Sequence, residues 1–124
     1  MANYKRIDHI ALHVSDLAAS IKFYESHFGF KNYFEHDTPT GVQIAYLKLG
    51  DTVLELVGRA DPANGGFHWC LETDDFAGAV SGLEAAGVEV LQPPHKTSAR
   101  EPREEHWQRV VFKGPDGEMI EIRG

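Results

Sequence analysis

The chain has 124 residues, with 12 Lys and Arg against 19 Asp and Glu, so its formal net charge is −7. This length suits one domain, and the negative charge argues against nucleic acid or an anionic membrane surface as a partner. The single cysteine excludes an internal disulfide and a cysteine-ligated zinc site. The N-terminal residues contain no apolar signal segment and no stretch is long enough to span a bilayer, so we expect a cytoplasmic protein.

Two stretches near the start of each half of the chain resemble each other. HIALHVSDLAASIKFYE at 9–25 aligns with HWCLETDDFAGAVSGLE at 68–84. In this alignment His9 falls on His68, and the apolar positions coincide. Fixed-period similarity of this kind predicts a duplicated structural unit.

A second pair of stretches extends the duplication to the end of each half. IAYLKLGDTVLELVG at 44–58 aligns with VVFKGPDGEMIEIRG at 110–124, and Glu55 falls on Glu121. The two alignments differ in offset, which indicates a short insertion in the second half at 93–107. The chain, residues 1–124, is therefore interpreted as one domain made of two modules. The predicted modules are residues 4–58 and 66–123, and residues 59–66 join them.

In chain order, the first module predicts a strand at 7–14 and then a helix that begins after Ser15 or Asp16. The apolar residues of this helix recur at the helical period of 3.6 residues, at Leu17, Ile21, Tyr24 and Phe28. Gly29 stands where a glycine commonly ends a helix. Three strands are predicted to follow, at 30–36, 42–49 and 52–57.

The second module repeats this order. Asp74 or Asp75 is predicted to cap its helix, and Gly87 to end it. Three strands are predicted to follow, at 88–91, 108–113 and 118–123. The fold class is therefore α+β, with two tandem βαβββ modules, and neither module buries enough apolar surface to be stable alone.

The repeated histidines and glutamates are predicted to share the polar face of each sheet. Glu55 stands between two leucines that need a helix partner, so its side chain points to the opposite face, and Glu121 stands between two isoleucines in the same way. His9 and His68 occupy matching positions on the first strand of each module. Two imidazoles and two carboxylates are donors that suit a divalent metal ion with open positions.

Four stretches of the sequence resemble the vicinal oxygen chelate superfamily, which includes glyoxalase I, methylmalonyl-CoA epimerase, extradiol dioxygenases, and fosfomycin and bleomycin resistance proteins. They are DHIALHVSDLAASIKFYESHFGF, TVLELVG, GGFHWCLETDD and GPDGEMIEIRG. The resemblance implies a U-shaped mixed sheet around one divalent metal ion per site (Ni, Zn, Co, Mn or Fe). It implies metal ligands at His9, Glu55, His68 and Glu121.

Within that superfamily, four protein ligands resemble the glyoxalase I type of lyase or isomerase. There the metal chelates adjacent oxygens of a small substrate and stabilises an enediolate while a carboxylate moves a proton. The resemblance implies that Glu121 is the catalytic base, with Glu55 as its counterpart. Three alternatives remain: an Fe(II) extradiol-type dioxygenase, a bleomycin-resistance-like protein that binds a drug or metabolite without catalysis, and a fosfomycin-type thiol transferase, to which only the cations of 93–107 point.

Two positions depart from the glyoxalase I pattern. His13 stands where Arg is common, and Arg59 stands where Asn is common; both family residues are tied to glutathione. The departures weigh against glutathione as cosubstrate. His13 is interpreted either as a pocket acid or base or as a packed histidine, and Arg59 as a partner for a substrate carboxylate or phosphate.

The inserted segment 93–107 is rich in cations for so acidic a chain. Arg100, Arg103 and Trp107 are candidate substrate-binding residues there, in a lid that steers an acidic substrate; the alternative is a solvated loop whose glutamates balance the cations. The resemblance also implies a homodimer, with the modules pairing either within one chain or across the dimer.

Overall fold

The computed structural model describes residue 3 and residues 5–63 and 67–124. Residue 4, where the first predicted module begins, lies outside this range, as do residues 64–66 at the end of the predicted join. None of the helices in the described part of the chain is long and apolar enough to cross a membrane.

The chain divides into two compact units, residues 1–63 and residues 64–124. Each described unit contains one α-helix and one four-stranded mixed sheet, in the order strand, helix and three strands. The predicted α+β class with tandem βαβββ modules is therefore confirmed.

The first unit consists of β1 (Ile10–Val14), α1 (Leu17–Phe28), β2 (Lys31–Asp37), β3 (Gln43–Leu49) and β4 (Thr52–Gly58). Of the two predicted caps, Asp16 is the one used, and its side chain accepts a hydrogen bond from the backbone N–H of Ala19 at 3.0 Å. Gly29 ends the helix at a φ of 75°, a left-handed conformation that glycine adopts without strain.

The strands of the first unit are ordered β1-β4-β3-β2, with β1 parallel to β4 and the other pairs antiparallel. Helix α1 packs against β2, β3 and β4. Tyr24 of the helix and Leu47 of β3 are fully buried in the core of this unit. Burial of a large apolar side chain contributes about 2 kcal/mol, so this face stabilises the unit and leaves the other face of the sheet for polar residues.

The second unit consists of β5 (His68–Glu72), α2 (Phe76–Ala85), β6 (Val90–Lys96), a short 3₁₀ helix (Pro102–Glu104), β7 (Gln108–Lys113) and β8 (Met119–Arg123). Asp75 caps α2 by accepting from the N–H of Gly78 at 3.0 Å, as Asp16 does for α1. The strand order β5-β8-β7-β6 repeats that of the first unit, with β5 parallel to β8.

One predicted boundary in the second unit is wrong. The strand expected at 88–91 extends as β6 to Lys96, so the first residues of the expected loop 93–107 belong to the sheet. The sequence pattern did not predict this extension because the strand contains two prolines, and proline has no backbone N–H to donate to a sheet. Pro93 and Pro94 are tolerated here because β6 is an edge strand whose pairing with β7 shifts register around them.

The repeated glutamates lie on the polar face of each sheet. Both are flanked by apolar residues that are at most 3% exposed: Leu54, Leu56, Ile120 and Ile122. Since alternate residues of a strand face opposite sides, Glu55 and Glu121 point away from these buried side chains.

Candidate metal centre

In the first unit the fold brings His9 against Glu55. Ala11 of β1 lies directly opposite Glu55 of β4, and His9, two residues before Ala11, lies immediately before β1, which begins at Ile10 and not at the predicted residue 7. The Nε2 atom of His9 lies 2.9 Å from Oε2 of Glu55. The imidazole is about one-third exposed and the carboxylate is largely covered, so the pair is anchored from one side and open on the other.

In the second unit His68 and Glu121 repeat this arrangement. Cys70 of β5 lies opposite Glu121 of β8, and His68 again stands two residues earlier. The Nε2 atom of His68 lies 3.5 Å from Oε2 of Glu121. Parallel pairing of the first and last strands of each unit therefore explains why the repeat joins a histidine to a glutamate.

The donor atoms of each pair fit a divalent cation. Neutral imidazole nitrogen and carboxylate oxygen are ligands for the divalent transition metals. Nδ1 of His9 lies 2.9 Å from Oδ2 of Asp8, so its N–H donates there and Nε2 keeps its lone pair for a metal ion. Within the described residues no three His, Cys, Asp or Glu side chains are grouped so as to hold a cation, and each unit supplies one such pair.

Each glutamate has a further hydrogen-bond partner that sequence reasoning did not assign to it. Tyr46 lies opposite Glu55 on β3; desolvation, the charge of Glu55 and a hydrogen bond to it raise the pKa of Tyr46, so the phenol stays protonated and donates to the carboxylate. Val111 lies opposite Glu121 on β7, and its side chain has no hydrogen-bond donor. Instead Arg109 reaches across from β7, and its Nε donates to Oε1 of Glu121 at 3.1 Å. Arg109 stands two residues before Val111 and so faces the same side of β7, which is the feature of the sequence that could have identified it.

A cavity of about 440 Å³ in the second unit contains this pair and the three other predicted site residues of that unit. Its lining is formed by His68, Cys70, Glu72, Arg100, Arg103, Trp107, Glu121 and Arg123. The structure thus brings Arg100 and Arg103 of the inserted segment together with the His68–Glu121 pair. Desolvation and the Glu121 charge raise the pKa of the Cys70 thiol to about 11, which keeps it protonated at neutral pH.

The arginines of this cavity are engaged by carboxylates. Arg100 binds the buried Glu104 through Nε and Nη2 at 2.8 Å, and the hydrogen bond lowers the pKa of Glu104 to about 2. Arg103 contacts Glu101 and Glu72, and hydrogen bonds to Glu72 and then Glu101 raise its pKa.

The base of this segment is tied to the sheet by a residue that sequence reasoning did not select. Arg123 of β8 donates through Nη2 to Oε1 of Glu104 at 3.1 Å and to the backbone oxygen of Ser98 at 3.2 Å. The guanidinium of Arg103 lies 4.8 Å from the centroid of the Trp107 ring. The glutamates of the segment therefore balance its cations through charge pairs, while the Arg100 and Arg103 side chains stay largely exposed.

Comparison with known proteins settles the family. The family model of the Glyoxalase/Bleomycin resistance protein/Dioxygenase superfamily matches residues 6–122. The chain belongs to this superfamily. The resemblance read from the sequence motifs is thereby confirmed, and the tandem βαβββ units are those of the superfamily.

Relatives within the superfamily include enzymes. The mitochondrial methylmalonyl-CoA epimerase of Homo sapiens is 29% identical over 136 residues, covering 97% of this chain and 74% of that protein. The crystal structure of a glyoxalase family protein from Enterococcus faecalis gives a TM-score of 0.81 at 23% identity over 98% of both chains. A mutant of the fosfomycin resistance protein FosX from Listeria monocytogenes, complexed with Mn(II) and 1S,2S-dihydroxypropylphosphonic acid, gives 0.76 at 15% identity, covering 97% and 92%. At these identities the two structures show the fold.

The two positions that depart from the glyoxalase I pattern lie in the first unit. His13 is exposed on β1 and projects on the same face as His9. Arg59 follows β4 and lines a separate cavity of about 430 Å³, whose lining includes neither His9 nor Glu55. Arg59 of this superfamily member is thus placed in a cavity apart from the His9–Glu55 pair.

Proposed function

We propose that this chain is a divalent-metal-dependent isomerase or lyase that moves a proton on a carbon next to a substrate carbonyl. The observation that carries the proposal is the repeated pair, His9 with Glu55 and His68 with Glu121, in which imidazole nitrogen faces carboxylate oxygen. These four residues are the proposed ligands of one cation per site. Nitrogen and carboxylate donors of this kind suit Ni, Zn, Co, Mn or Fe, and the Mn(II) named with FosX supports a metal of this class.

The residues of the chain have separate proposed tasks. A bound divalent cation supplies Lewis-acid stabilisation of the negative charge that develops on the substrate oxygens. His9 and His68 hold their positions as neutral donors, and Asp8 fixes the ring orientation of His9. One glutamate oxygen takes a proton from the substrate carbon and becomes a carboxylic acid. In an isomerase of the epimerase type, the deprotonated carbon takes a proton on its opposite face from a second acid, the other glutamate or water. In the glyoxalase I type, the proton is delivered to the neighbouring carbon.

The identity of the relatives favours the epimerase type. Several curated relatives at 28–29% identity are methylmalonyl-CoA epimerases, which supports a substrate whose reacting carbon is flanked by carbonyl groups. His13 and Arg59, at the two positions tied to glutathione, are consistent with a substrate other than a glutathione adduct. The arginines that line the cavity with His68 and Glu121 are consistent with an acidic substrate, although their carboxylate partners offset much of their positive charge.

The proposal is tested with protein loaded with Mn(II), Co(II), Ni(II), Zn(II) or, anaerobically, Fe(II). We expect exchange of the substrate C–H for deuterium in D₂O with methylmalonyl-CoA, and loss of that exchange in Glu121→Gln but not in the surface variant Glu84→Gln. Methylglyoxal with glutathione tests the lyase type in parallel. Oxygen uptake with catechols would instead establish the dioxygenase alternative. Tight ligand binding without turnover by any metal-loaded form would establish the binding-protein alternative.

A homodimer is part of the proposal. Two His–Glu pairs are needed for a four-ligand site, and they meet either within one chain or between two copies. Light scattering on the intact chain is expected to give twice the mass of 13.8 kDa. A monomer that retains activity would restrict the proposal to pairing within one chain.

A further inference from the structure

The two oxygens of Glu121 have different neighbours. Oε2 faces Nε2 of His68 at 3.5 Å, while Oε1 accepts a hydrogen bond from Nε of Arg109 at 3.1 Å. The carboxylate is 11% exposed and the arginine side chain 26% exposed, so this ion pair is only partly screened by solvent. One oxygen of Glu121 is thus directed to the histidine and the other is held by a positive charge.

Arg109 is itself fixed on its far side. Its Nη1 donates to Oε1 of Gln92 at 3.0 Å and to Nε2 of His95 at 3.1 Å. Nδ1 of His95 lies 2.8 Å from the backbone oxygen of Pro93, so the N–H of this ring is at Nδ1 and Nε2 is the acceptor. The guanidinium therefore spans β6 to β8 in one orientation, set by neutral partners on one side and by Glu121 on the other.

The repeat-related glutamate of the first unit has no such cation among the contacts of its carboxylate that the structure describes. Glu55 faces His9 and the phenol of Tyr46, which lies opposite it on β3 and is an uncharged donor. The two glutamates occupy matching strands and matching registers, opposite Ala11 and Cys70. The two glutamates differ in that the carboxylate of Glu121 contacts a positive charge, that of Arg109.

We propose that Arg109 is a positioning residue that makes Glu121 the weaker of the two carboxylate ligands, a role that rests on the proposed metal site. Its hydrogen bond to Oε1 leaves Oε2 as the ligating atom, so Glu121 binds through one oxygen. The positive charge of Arg109 repels a cation at that oxygen, which weakens metal binding. The hydrogen bond also orders the carboxylate in advance, which favours metal binding, but in a partly buried site the repulsion is the larger of the two effects. Glu121 is then the protein ligand that is released when substrate oxygens bind, while Glu55 holds the ion.

Substitution of Arg109 is expected to change the affinity for metal in the direction opposite to that caused by structural damage. Loss of a merely structural arginine would loosen Glu121 and weaken metal binding. Removal of a repelling charge strengthens it. Arg109→Gln, which removes the charge and retains a hydrogen-bond donor, is expected to lower the Kd for Mn(II) about 10-fold, whereas Arg109→Lys, which retains the charge, is expected to remain within about 3-fold of the parent.

The experiment is calorimetric titration of the intact chain with Mn(II) alone at constant pH and ionic strength. Lys113→Gln is the matched control, since it removes a charge from the same strand without a contact to Glu121, and it should leave the Kd unchanged. Gln92→Glu, which places a carboxylate against Nη1 and keeps the arginine, should also tighten binding and serves if Arg109→Gln does not fold. A parent chain that binds no divalent metal would refute the proposed function. A parent that binds Mn(II), with Arg109→Gln or Gln92→Glu equal to it or weaker, would overturn the role of Arg109 alone.

Discussion

The Nδ1 atom of His9 lies 2.9 Å from a carboxylate oxygen of Asp8, so the histidine presents its other ring nitrogen to Glu55. Hydrogen bonds of this kind set the tautomer and orientation of metal-binding histidines. The hydrogen bond to His9, and after it the charge of Arg6, lower the pKa of Asp8, which is exposed and remains a carboxylate near neutral pH.

Substitution of Asp8 tests this orientation. Asp8→Ala removes the acceptor for Nδ1 and is expected to weaken divalent-metal binding by roughly 10-fold, the lower end of the range for such partners because Asp8 is exposed. Asp8→Asn, which keeps an acceptor oxygen, should lose less. The measurement is titration with Mn(II), and Asp51→Asn is the control for loss of a surface charge. Equal affinities for Asp8→Ala and the parent would show that Asp8 does not orient His9.

Neutral glutamine at either glutamate tests the ligand set. Glu55→Gln and Glu121→Gln each remove an anionic ligand from a site that is proposed to have two. Glu55→Gln is expected to weaken metal binding by roughly 100-fold, and Glu121→Gln, the weaker ligand, by roughly 10-fold. Metal content after dialysis and titration measure the loss. Glu84→Gln, on the exposed face of α2, should bind like the parent. An unchanged affinity in either variant would remove that glutamate from the ligand set.

Mixing of two inactive variants distinguishes pairing within a chain from pairing across a dimer. One variant lacks the first pair (His9→Ala with Glu55→Gln) and the other lacks the second (His68→Ala with Glu121→Gln). If sites are shared between subunits, dissociation and reassociation of an equal mixture should restore about one quarter of the parent activity, because half of the dimers are mixed and each has one intact site. No recovery, with subunit exchange verified by mass spectrometry, would place both pairs of a site in one chain.

Glu104 is expected to make stability depend on pH in the acid range. Its pKa is lowered from 4.5 to about 2 by the hydrogen bond from Arg100, so its stabilising effect is complete above about pH 5 and is lost as pH falls towards 2. In metal-free protein, Glu104→Gln should lower the melting temperature at pH 7 by about 5 °C or more, because the largely buried Arg123 loses its anionic partner.

The same variant should flatten the acid branch of the stability profile. The difference in melting temperature between parent and Glu104→Gln is expected to shrink from pH 5 to pH 2, as the parent carboxylate becomes protonated. Glu105→Gln, at an exposed neighbouring position, should follow the parent throughout. A difference that stays constant over this interval would show that the charge of Glu104 is not the stabilising feature.

Local chemistry explains which parts of the fold were predictable. Asp16 and Asp75 were identifiable as helix caps, and Gly29 as a helix end, because each acts on backbone groups within a few residues. The end of β6 was mispredicted because two prolines weaken the strand pattern, and only the sheet shows that this edge tolerates them.

The sequence by itself determined the duplicated βαβββ units and the four candidate ligands, because a repeat exposes residues that recur at matching positions whatever their neighbours are. Only the tertiary structure decided which charges meet. That Arg109 reaches Glu121, and that Arg100 is bound by Glu104, follow from the register of β7 against β8 and from the path of the 97–107 segment. Register is set by hydrogen bonds and packing between strands distant in sequence, so no local pattern records it.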